Sequence, residues 1–269
     1  MKIEILYPEF CNLNGDMGNM KYLEKCIPEA EIIETSINEK PKFIDQDDIS
    51  LVYMGTLSER SQEIAIQKLK PYTEKIKEKI EKNQLFLFTG NSIEILGNYI
   101  ENDDGSKIEA LKIFDVYAKR DMLHRHNSYF LGKYKDIEIL GFKSQFTMLY
   151  GNNESDYFIK ADMGIGINES TKLEGIHKNN FFATYIIGPF LVLNPHFMVE
   201  LLKIMGVEIL NWLMKMKYLK HITLDYRSSK LWVEKNWTNI VSKQGEVCLK
   251  KQTFSFFRII YWKKIYIMV

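Results

Sequence analysis

The sequence predicts a layered α/β fold with a mostly parallel central sheet and some antiparallel strands. Short apolar segments alternate with longer segments at helical spacing, and this alternation is typical of a parallel sheet covered by helices. The Leu-Phe-Leu-Phe segment at 85–88 is entirely apolar. A run of this length and composition is expected in a strand that is buried on both faces.

The first half of the chain supplies most of the alternating elements. Short strands are predicted at 3–6, 31–34, 51–53 and 85–88, with a first helix at 20–26. Thr56 and Glu59 have the spacing of a capping box, which predicts the start of a long helix. Pro71 is expected to break or kink that helix, because proline lacks an amide hydrogen.

The second half of the chain has a different pattern after Gly97. Successive antiparallel strands are predicted at 110–118, 129–134 and 137–142, followed by a strand at 181–187 and a helix from Pro195 through 202. Ligands of open α/β sheets bind at the carboxyl ends of the parallel strands. Turns that contain Gly15, Gly90 and Gly188 are expected at that edge.

The composition is ordinary for a globular protein and excludes several function classes. The chain has 269 residues, of which 46% are hydrophobic, and a formal net charge of +1. The net charge of the whole chain therefore does not indicate binding to nucleic acid. Its three cysteines are too few and too scattered for a disulfide framework or a cysteine-based zinc site. No metal or cofactor is expected. No run reaches the ~18 apolar residues of a membrane span, and a cytoplasmic setting is the default.

The segment at 85–97 carries the most information about function. A buried strand followed by a tight turn and a helix is the layout of a nucleophile elbow, in which the residue at the turn projects into a pocket. The residue at this turn is Gly90, which has no side chain to project.

Three segments share one resemblance: LYPEFCNLNGDMGN at 6–19, FTGNSIEILG at 88–97 and ATYIIGPFLVLNP at 183–195. Together they resemble class I glutamine amidotransferase domains of the cobyric acid synthase type. The nearest branch is the glutaminase subunit of lipid II isoglutaminyl synthase. The resemblance covers roughly residues 1–205 and implies a three-layer, flavodoxin-like sandwich.

The chain departs from this family at the catalytic positions. The family's nucleophilic Cys falls on Gly90, its catalytic His on Ile187, and an Arg implicated in holding glutamine on Met148. A thiolate needs a base within hydrogen-bond reach, so the usual Cys–His mechanism is not available from these positions. The remaining candidates for a substrate pocket are Gly55, Thr89, Asn91, Ser92, Glu94, Gln145, Met148 and Tyr185.

Individual residues near the turn have ordinary structural interpretations as well. Cys11 is expected to be a small buried loop cysteine rather than a substitute nucleophile. Asp16 is expected to form a turn, although it could also bind a cation or an amine. Thr89 and Ser92 are expected to cap backbone amides. Glu94 would either orient a group in the pocket or face solvent.

The resemblance implies a function in amide synthesis. Active members release ammonia from glutamine, and an ATP-dependent Mur ligase-like partner uses it to amidate a cell-wall precursor or a corrinoid of the cobalamin type. For this chain the resemblance predicts a catalytically degenerate member, a pseudoenzyme that docks to such a partner or binds a ligand, glutamine included, in the vestigial pocket. An enzyme with displaced catalytic residues is a further hypothesis. The alternative class is an interaction protein without a pocket.

The composition changes after about residue 208, which predicts a domain at 1–209 and an extension at 210–269. The extension contains 12 Lys and Arg against 3 Asp and Glu, and all four tryptophans of the chain. Three interpretations are open: a basic module that binds RNA or an anionic membrane, a pair of elements packed on the domain, or an out-of-frame product of an A/T-rich gene.

Truncation after Val207 is expected to leave a soluble protein with a cooperative thermal transition, measured by circular dichroism. A domain of ~200 residues already buries about 70% of its unfolded surface, so it has a sufficient core of its own. Aggregation of the truncated protein, or melting without cooperativity, would show that the extension belongs to the core.

Overall fold

A computed structural model of the chain describes residues 1–208, and the predicted extension at 210–269 lies outside these residues. The strands are β1 Lys2–Leu6, β2 Glu31–Thr35, β3 Ile49–Met54, β4 Phe86–Thr89, β5 Tyr99–Glu101, β6 Lys107–Glu109, β7 Val116–Arg120, β8 His126–Tyr134, β9 Ile137–Gln145, β10 Thr147–Gly151, β11 Ile159–Met163, β12 Leu173–Glu174, β13 Ile176–Lys178 and β14 Phe181–Thr184. The α-helices are α1 Met17–Cys26, α2 Glu59–Leu69, α3 Thr73–Glu81, α4 Phe190–Leu193 and α5 Pro195–Ile204, and short 3₁₀ helices occupy Lys42–Ile44, Lys70–Tyr72 and Gly90–Leu96.

The central sheet has six strands in the order β13-β14-β4-β3-β1-β2. All neighbouring strands are parallel except β13, which pairs antiparallel with β14 at one edge. Strands β4 and β14 are buried along their whole length, as the apolar segment at 85–88 predicts. The prediction of an α/β fold with a mostly parallel sheet is therefore confirmed.

Two four-stranded sheets, ordered β10-β7-β5-β6 and β12-β11-β8-β9, supply the antiparallel strands. The predicted hairpin of β8 and β9 is confirmed, with Tyr134 opposite Ile137 at its turn. The single strand predicted at 110–118 is correct only from Val116, where β7 begins. Residues 110–114 instead lie against the 3₁₀ helix at the elbow, where Leu111 N donates to Ile95 O and Ile113 N donates to Leu96 O. The apolar side chains that suggested a strand serve this packing instead.

The long helix is interrupted at Pro71, as predicted. Helix α2 ends at Leu69, and α3 begins after a 3₁₀ turn that contains the proline. The predicted capping box is wrong, because the N-cap of α2 is Ser58, whose hydroxyl accepts a hydrogen bond from Ser61 N at 3.2 Å. Thr56 is committed to a different partner, described below.

The last strand is also shorter than the predicted segment at 181–187. It ends at Thr184, after which the backbone amides donate to side-chain oxygens rather than to the neighbouring strand. Tyr185 N donates to Glu174 Oε1 at 2.8 Å, and Ile186 N donates to Thr184 Oγ1 at 3.1 Å. Helix α5 begins at Pro195, as predicted, and ends at Ile204. Within residues 1–208, none of the helices has the length and apolar character needed to span a membrane.

Candidate functional site

The site is built around the turn that follows β4, at the carboxyl edge of the parallel sheet. Gly90 has φ +66°, a left-handed conformation that glycine adopts without the steric penalty of a side chain. The side chain of Asn91 ties this turn to the loop after β3. Its Oδ1 accepts from Leu57 N at 2.9 Å, and its Nδ2 donates to Leu57 O at 2.9 Å. The strand–turn layout predicted from the sequence is present, although the following helix is 3₁₀.

Thr56 occupies the space into which a side chain at position 90 would extend. A Cβ placed on Gly90 would lie 2.8 Å from both Cβ and Cγ2 of Thr56, and still closer to its Oγ1. Carbon atoms that are not bonded prefer separations of about 3.5–4.0 Å. The turn therefore has the left-handed backbone of an elbow, and the volume above it is filled by Thr56.

Asp16 holds Thr56 in that position. The Asp16 carboxylate is fully buried, and its Oδ1 accepts hydrogen bonds from Thr56 Oγ1 at 3.2 Å and from Thr89 Oγ1 at 3.0 Å. Its Oδ2 accepts from Asn14 N at 3.2 Å. Burial raises the pKa of Asp16, against the effect of these hydrogen bonds. Beneath it, the Tyr53 hydroxyl lies 3.1 Å from Asp16 O and 3.0 Å from Thr89 Oγ1.

A second buried network extends from the 3₁₀ helix toward β7. Glu94 Oε1 accepts from the Tyr185 hydroxyl at 3.0 Å, and Glu94 Oε2 accepts from Gln62 Nε2 at 2.8 Å. Gln62 Oε1 in turn accepts from Arg120 Nη2 at 2.8 Å. Burial raises the pKa of the Glu94 carboxyl to about 7, although hydrogen bonds from Gln62 and Tyr185 favour its charged form.

A buried ion pair lies beside Tyr185. Lys143 of β9 bonds to Glu174 of β12, and both side chains have no exposed surface. Glu174 Oε1 also accepts from the Thr184 hydroxyl at 2.9 Å. Burial lowers the pKa of Lys143, while the attraction of Glu174 favours its charged form. The charges in this region are thus balanced by neighbouring side chains.

Three of the predicted residues, Gln145, Met148 and Ile187, lie on or beside strands β9 and β10. Gln145 Nε2 donates to Thr147 O at 2.7 Å and lies 3.4 Å from Met148 Sδ. Ile187, at the position expected for the catalytic base, pairs its backbone with Phe142 of β9 through Ile187 N and Phe142 O at 2.9 Å. Its side chain is an aliphatic group that is 7% exposed. Within residues 1–208, no group of three or more His, Cys, Asp or Glu side chains could hold a metal ion.

Comparisons with known proteins give a consistent result. The chain is 27% identical over 187 residues to the lipid II isoglutaminyl synthase (glutamine-hydrolyzing) subunit GatD of Staphylococcus aureus (strain N315), which covers 68% of this chain and 75% of that protein. GatD of Streptococcus pneumoniae (strain ATCC BAA-255 / R6) is 25% identical over 206 residues, with coverage of 73% and 76%. No family model matches the chain.

Solved structures agree on the fold. A crystal structure of a glutamine amidotransferase aligns with a TM-score of 0.51 at 12% identity, covering 76% of this chain and 99% of that one. A glutamine amidotransferase from Thermotoga maritima aligns with a TM-score of 0.50 at 11% identity, with coverage of 87% and 92%. The domain is class I glutamine amidotransferase-like.

The amidotransferase-like domain brings most of the predicted pocket residues to one place. Gly55, Thr89, Asn91, Ser92, Glu94 and Tyr185 belong to the two networks or to the loops that carry them. Gly55 is required because a Cβ there would lie 2.7 Å from Asp16 Cβ. The capping role expected of Thr89 and Ser92 is wrong, since no side chain caps the 3₁₀ helix. Ser92 Oγ donates to Thr89 O at 2.8 Å instead.

The outcomes for Cys11, Glu94 and Asp16 differ. Cys11 is buried, as expected, and burial raises the pKa of its thiol, so it does not supply a reactive thiolate. Glu94 does not face solvent, being 1% exposed. Asp16 does accept a bond from a nearby backbone amide, but its main partners are the two distant threonine hydroxyls.

Thr56, Gln62 and Arg120 are site residues that the sequence analysis missed. Arg120 follows Val116 and Ala118 at a spacing of two along β7, and all three are buried. That alternation was the available signal for an inward-facing arginine. Nothing comparable marks Thr56, whose hydrogen-bond partner lies 40 residues away in the chain.

Glu94→Gln is expected to remove part of the pH dependence of stability of this domain. The folded protein holds the Glu94 proton up to about pH 7, whereas the unfolded chain releases it near 4.5. Between these values the unfolded state binds fewer protons, so the wild type loses stability as pH rises, by roughly 3 kcal/mol across the window.

Urea unfolding of both proteins from pH 4 to 8 measures this difference. The free energy of unfolding of the wild type should fall relative to that of Glu94→Gln between about pH 4.5 and 7, and stay parallel above it. Glu24→Gln, on the exposed side of α1, is the control and should leave the profile unchanged. Identical profiles for wild type and Glu94→Gln would contradict the assigned pKa.

Proposed function

We propose that this chain is a catalytically inactive relative of the glutaminase subunit of lipid II isoglutaminyl synthase. In this proposal the chain itself docks to an ATP-dependent Mur ligase-like protein in the cytoplasm. One observation is the main support for the proposed loss of catalysis. Position 90 has no thiol, and the space for a side chain there is occupied by Thr56.

The loss of the base supports the same proposal. Ile187 offers no nitrogen to accept a proton, and Met148 offers no cation to hold a carboxylate. Removing the nucleophile or base of such a pair costs several powers of ten in rate. Buried Cys11, with its raised pKa, is not a replacement, because the thiolate is the nucleophilic form of cysteine.

The polar groups near the turn favour docking over ligand binding. The carboxylates of Asp16 and Glu94 and the guanidinium of Arg120 already have partners within the protein. At the two carboxylates, a ligand would have to replace these hydrogen bonds, and only Arg120 Nε is left without a partner among these three groups. The names of the two similar proteins favour a cell-wall precursor, rather than a corrinoid, as the acceptor that the partner ligase amidates.

The purified full-length protein is expected to release no ammonia from glutamine above background, in a coupled assay for ammonia. The Staphylococcus aureus relative, assayed together with its own partner, is the positive control, since its name describes a glutamine-hydrolyzing enzyme. Turnover near ~1 per second, within the usual range of enzymes, would contradict the proposed loss of catalysis.

The full-length protein is expected to bind the Mur ligase-like protein encoded nearest to it. The expected Kd is in or below the micromolar range, and a Kd of ~1 µM corresponds to a binding free energy of about −8 kcal/mol. Co-expression and size-exclusion chromatography would show a complex that elutes ahead of either protein. A Mur ligase from the main peptidoglycan pathway of the same organism is the control. Separate elution at ~10 µM, a concentration above that Kd, would contradict docking while leaving the catalytic prediction untouched.

A further inference from the structure

We infer that Thr56 is a second block to catalysis, separate from the missing thiol, because it fills the space that a side chain at position 90 would need. The inference rests on the proposed function, because it explains how the elbow was closed. It also goes further, because it identifies which residue must change before a nucleophile can be accommodated.

The clash cannot be relieved by rotating the Thr56 side chain. A Cβ on Gly90 would lie 2.8 Å from Thr56 Cβ, and the position of that atom is fixed by the backbone. Rotation about χ1 would move Oγ1 and Cγ2 but leave the contact between the two Cβ atoms. Alanine at position 56 would keep the contact as well, whereas glycine would remove it.

The backbone on each side of Thr56 is also held in place. Leu13 N donates to Thr56 O at 3.3 Å, and the next residue, Leu57, is bound on both its amide and its carbonyl by the Asn91 side chain. Gly55, immediately before it, lies so close to Cys11 O and Asp16 that a Cβ would not fit. The loop after β3 therefore cannot retreat from the turn without breaking these contacts.

The side chains that positions 56 and 90 can carry therefore depend on each other. A thiol introduced at position 90 in the presence of Thr56 has to displace either the turn or the loop. If the turn is displaced, the backbone of residue 90 leaves its native left-handed conformation. The same thiol in the presence of glycine at position 56 extends into the vacated volume, beside the hydroxyl of Thr89 and the carboxylate of Asp16.

A double-mutant cycle on the full-length protein tests this coupling by thermal unfolding. Gly90→Ala alone is expected to lower Tm by roughly 5–10 °C. The same substitution in a Thr56→Gly background should lower Tm by roughly half as much, because the strain of the positive φ remains in both backgrounds while the steric contact is removed.

Two matched backgrounds separate shape from hydrogen bonding. Thr56→Val keeps the branched shape but loses the bond to Asp16, so it should give no relief. Thr56→Ala keeps the Cβ contact and should give an intermediate value. Equal losses for Gly90→Ala in the wild-type and Thr56→Gly backgrounds, or failure of both proteins to fold, would overturn the inference.

Alkylation provides an independent measurement on Gly90→Cys. Iodoacetamide labelling, located by peptide mass spectrometry, should be about tenfold slower at position 90 in the Thr56→Gly background, because the thiol then lies in the vacated buried volume, whereas Thr56 forces it outward with the displaced turn. The buried thiols of Cys11 and Cys26 serve as internal controls for unfolding and should stay unlabelled. Equal rates at position 90, with both controls protected, would overturn the inference.

These results are distinguishable from a failure of the proposed function. Ammonia release by the wild type would contradict the proposed inactivity whatever the cycle shows. Absence of ammonia release, together with zero coupling between positions 56 and 90, would leave the inactive scaffold in place and remove only the role assigned to Thr56.

Discussion

The buried carboxylate of Asp16 is the interaction on which the carboxyl edge of the sheet depends. A buried carboxylate is costly unless hydrogen-bond donors surround it, and here the donors come from three separate segments. Asn14 supplies an amide, Thr56 a hydroxyl from the loop after β3, and Thr89 a hydroxyl from the end of β4. This arrangement fixes Thr56 above the turn, and Thr56 in turn restricts what position 90 can carry.

A polar region of this kind normally faces a cavity in an enzyme, where its free donors and acceptors meet a substrate. In this domain the groups are bonded to each other. The network from Tyr185 through Glu94 and Gln62 to Arg120 is continuous, although Arg120 Nε is buried without a hydrogen-bond partner. Lys143 and Glu174 are likewise paired with each other, because a buried charge without its partner would be strongly destabilising. The scaffold is therefore held together by groups whose retention does not depend on catalysis.

The sequence predicted those features whose signals are local. The apolar strands, the interruption at Pro71 and the turn at Gly90 each follow from residues adjacent in the chain. Predictions failed where a distant partner decides the structure. The segment at 110–114 packs on the elbow rather than extending as a strand, and the hydroxyl of Thr56 bonds to Asp16 rather than capping α2. The family motifs predicted the turn at Gly90, but only the three-dimensional contacts revealed that the space above it is filled.

The geometry also constrains which side chains positions 56 and 90 can carry together. A nucleophile at an elbow requires a side chain on a residue with positive φ, a conformation that costs of order 1–3 kcal/mol for a residue other than glycine. Glycine at position 90 avoids that strain, because it adopts φ +66° without the penalty of a side chain. Thr56 could not accompany a side chain at position 90 in this geometry, because the two Cβ atoms would lie 2.8 Å apart. A side chain at position 90 therefore requires a change at position 56, and a Cys–His pair would further require a base at position 187, where this chain has Ile.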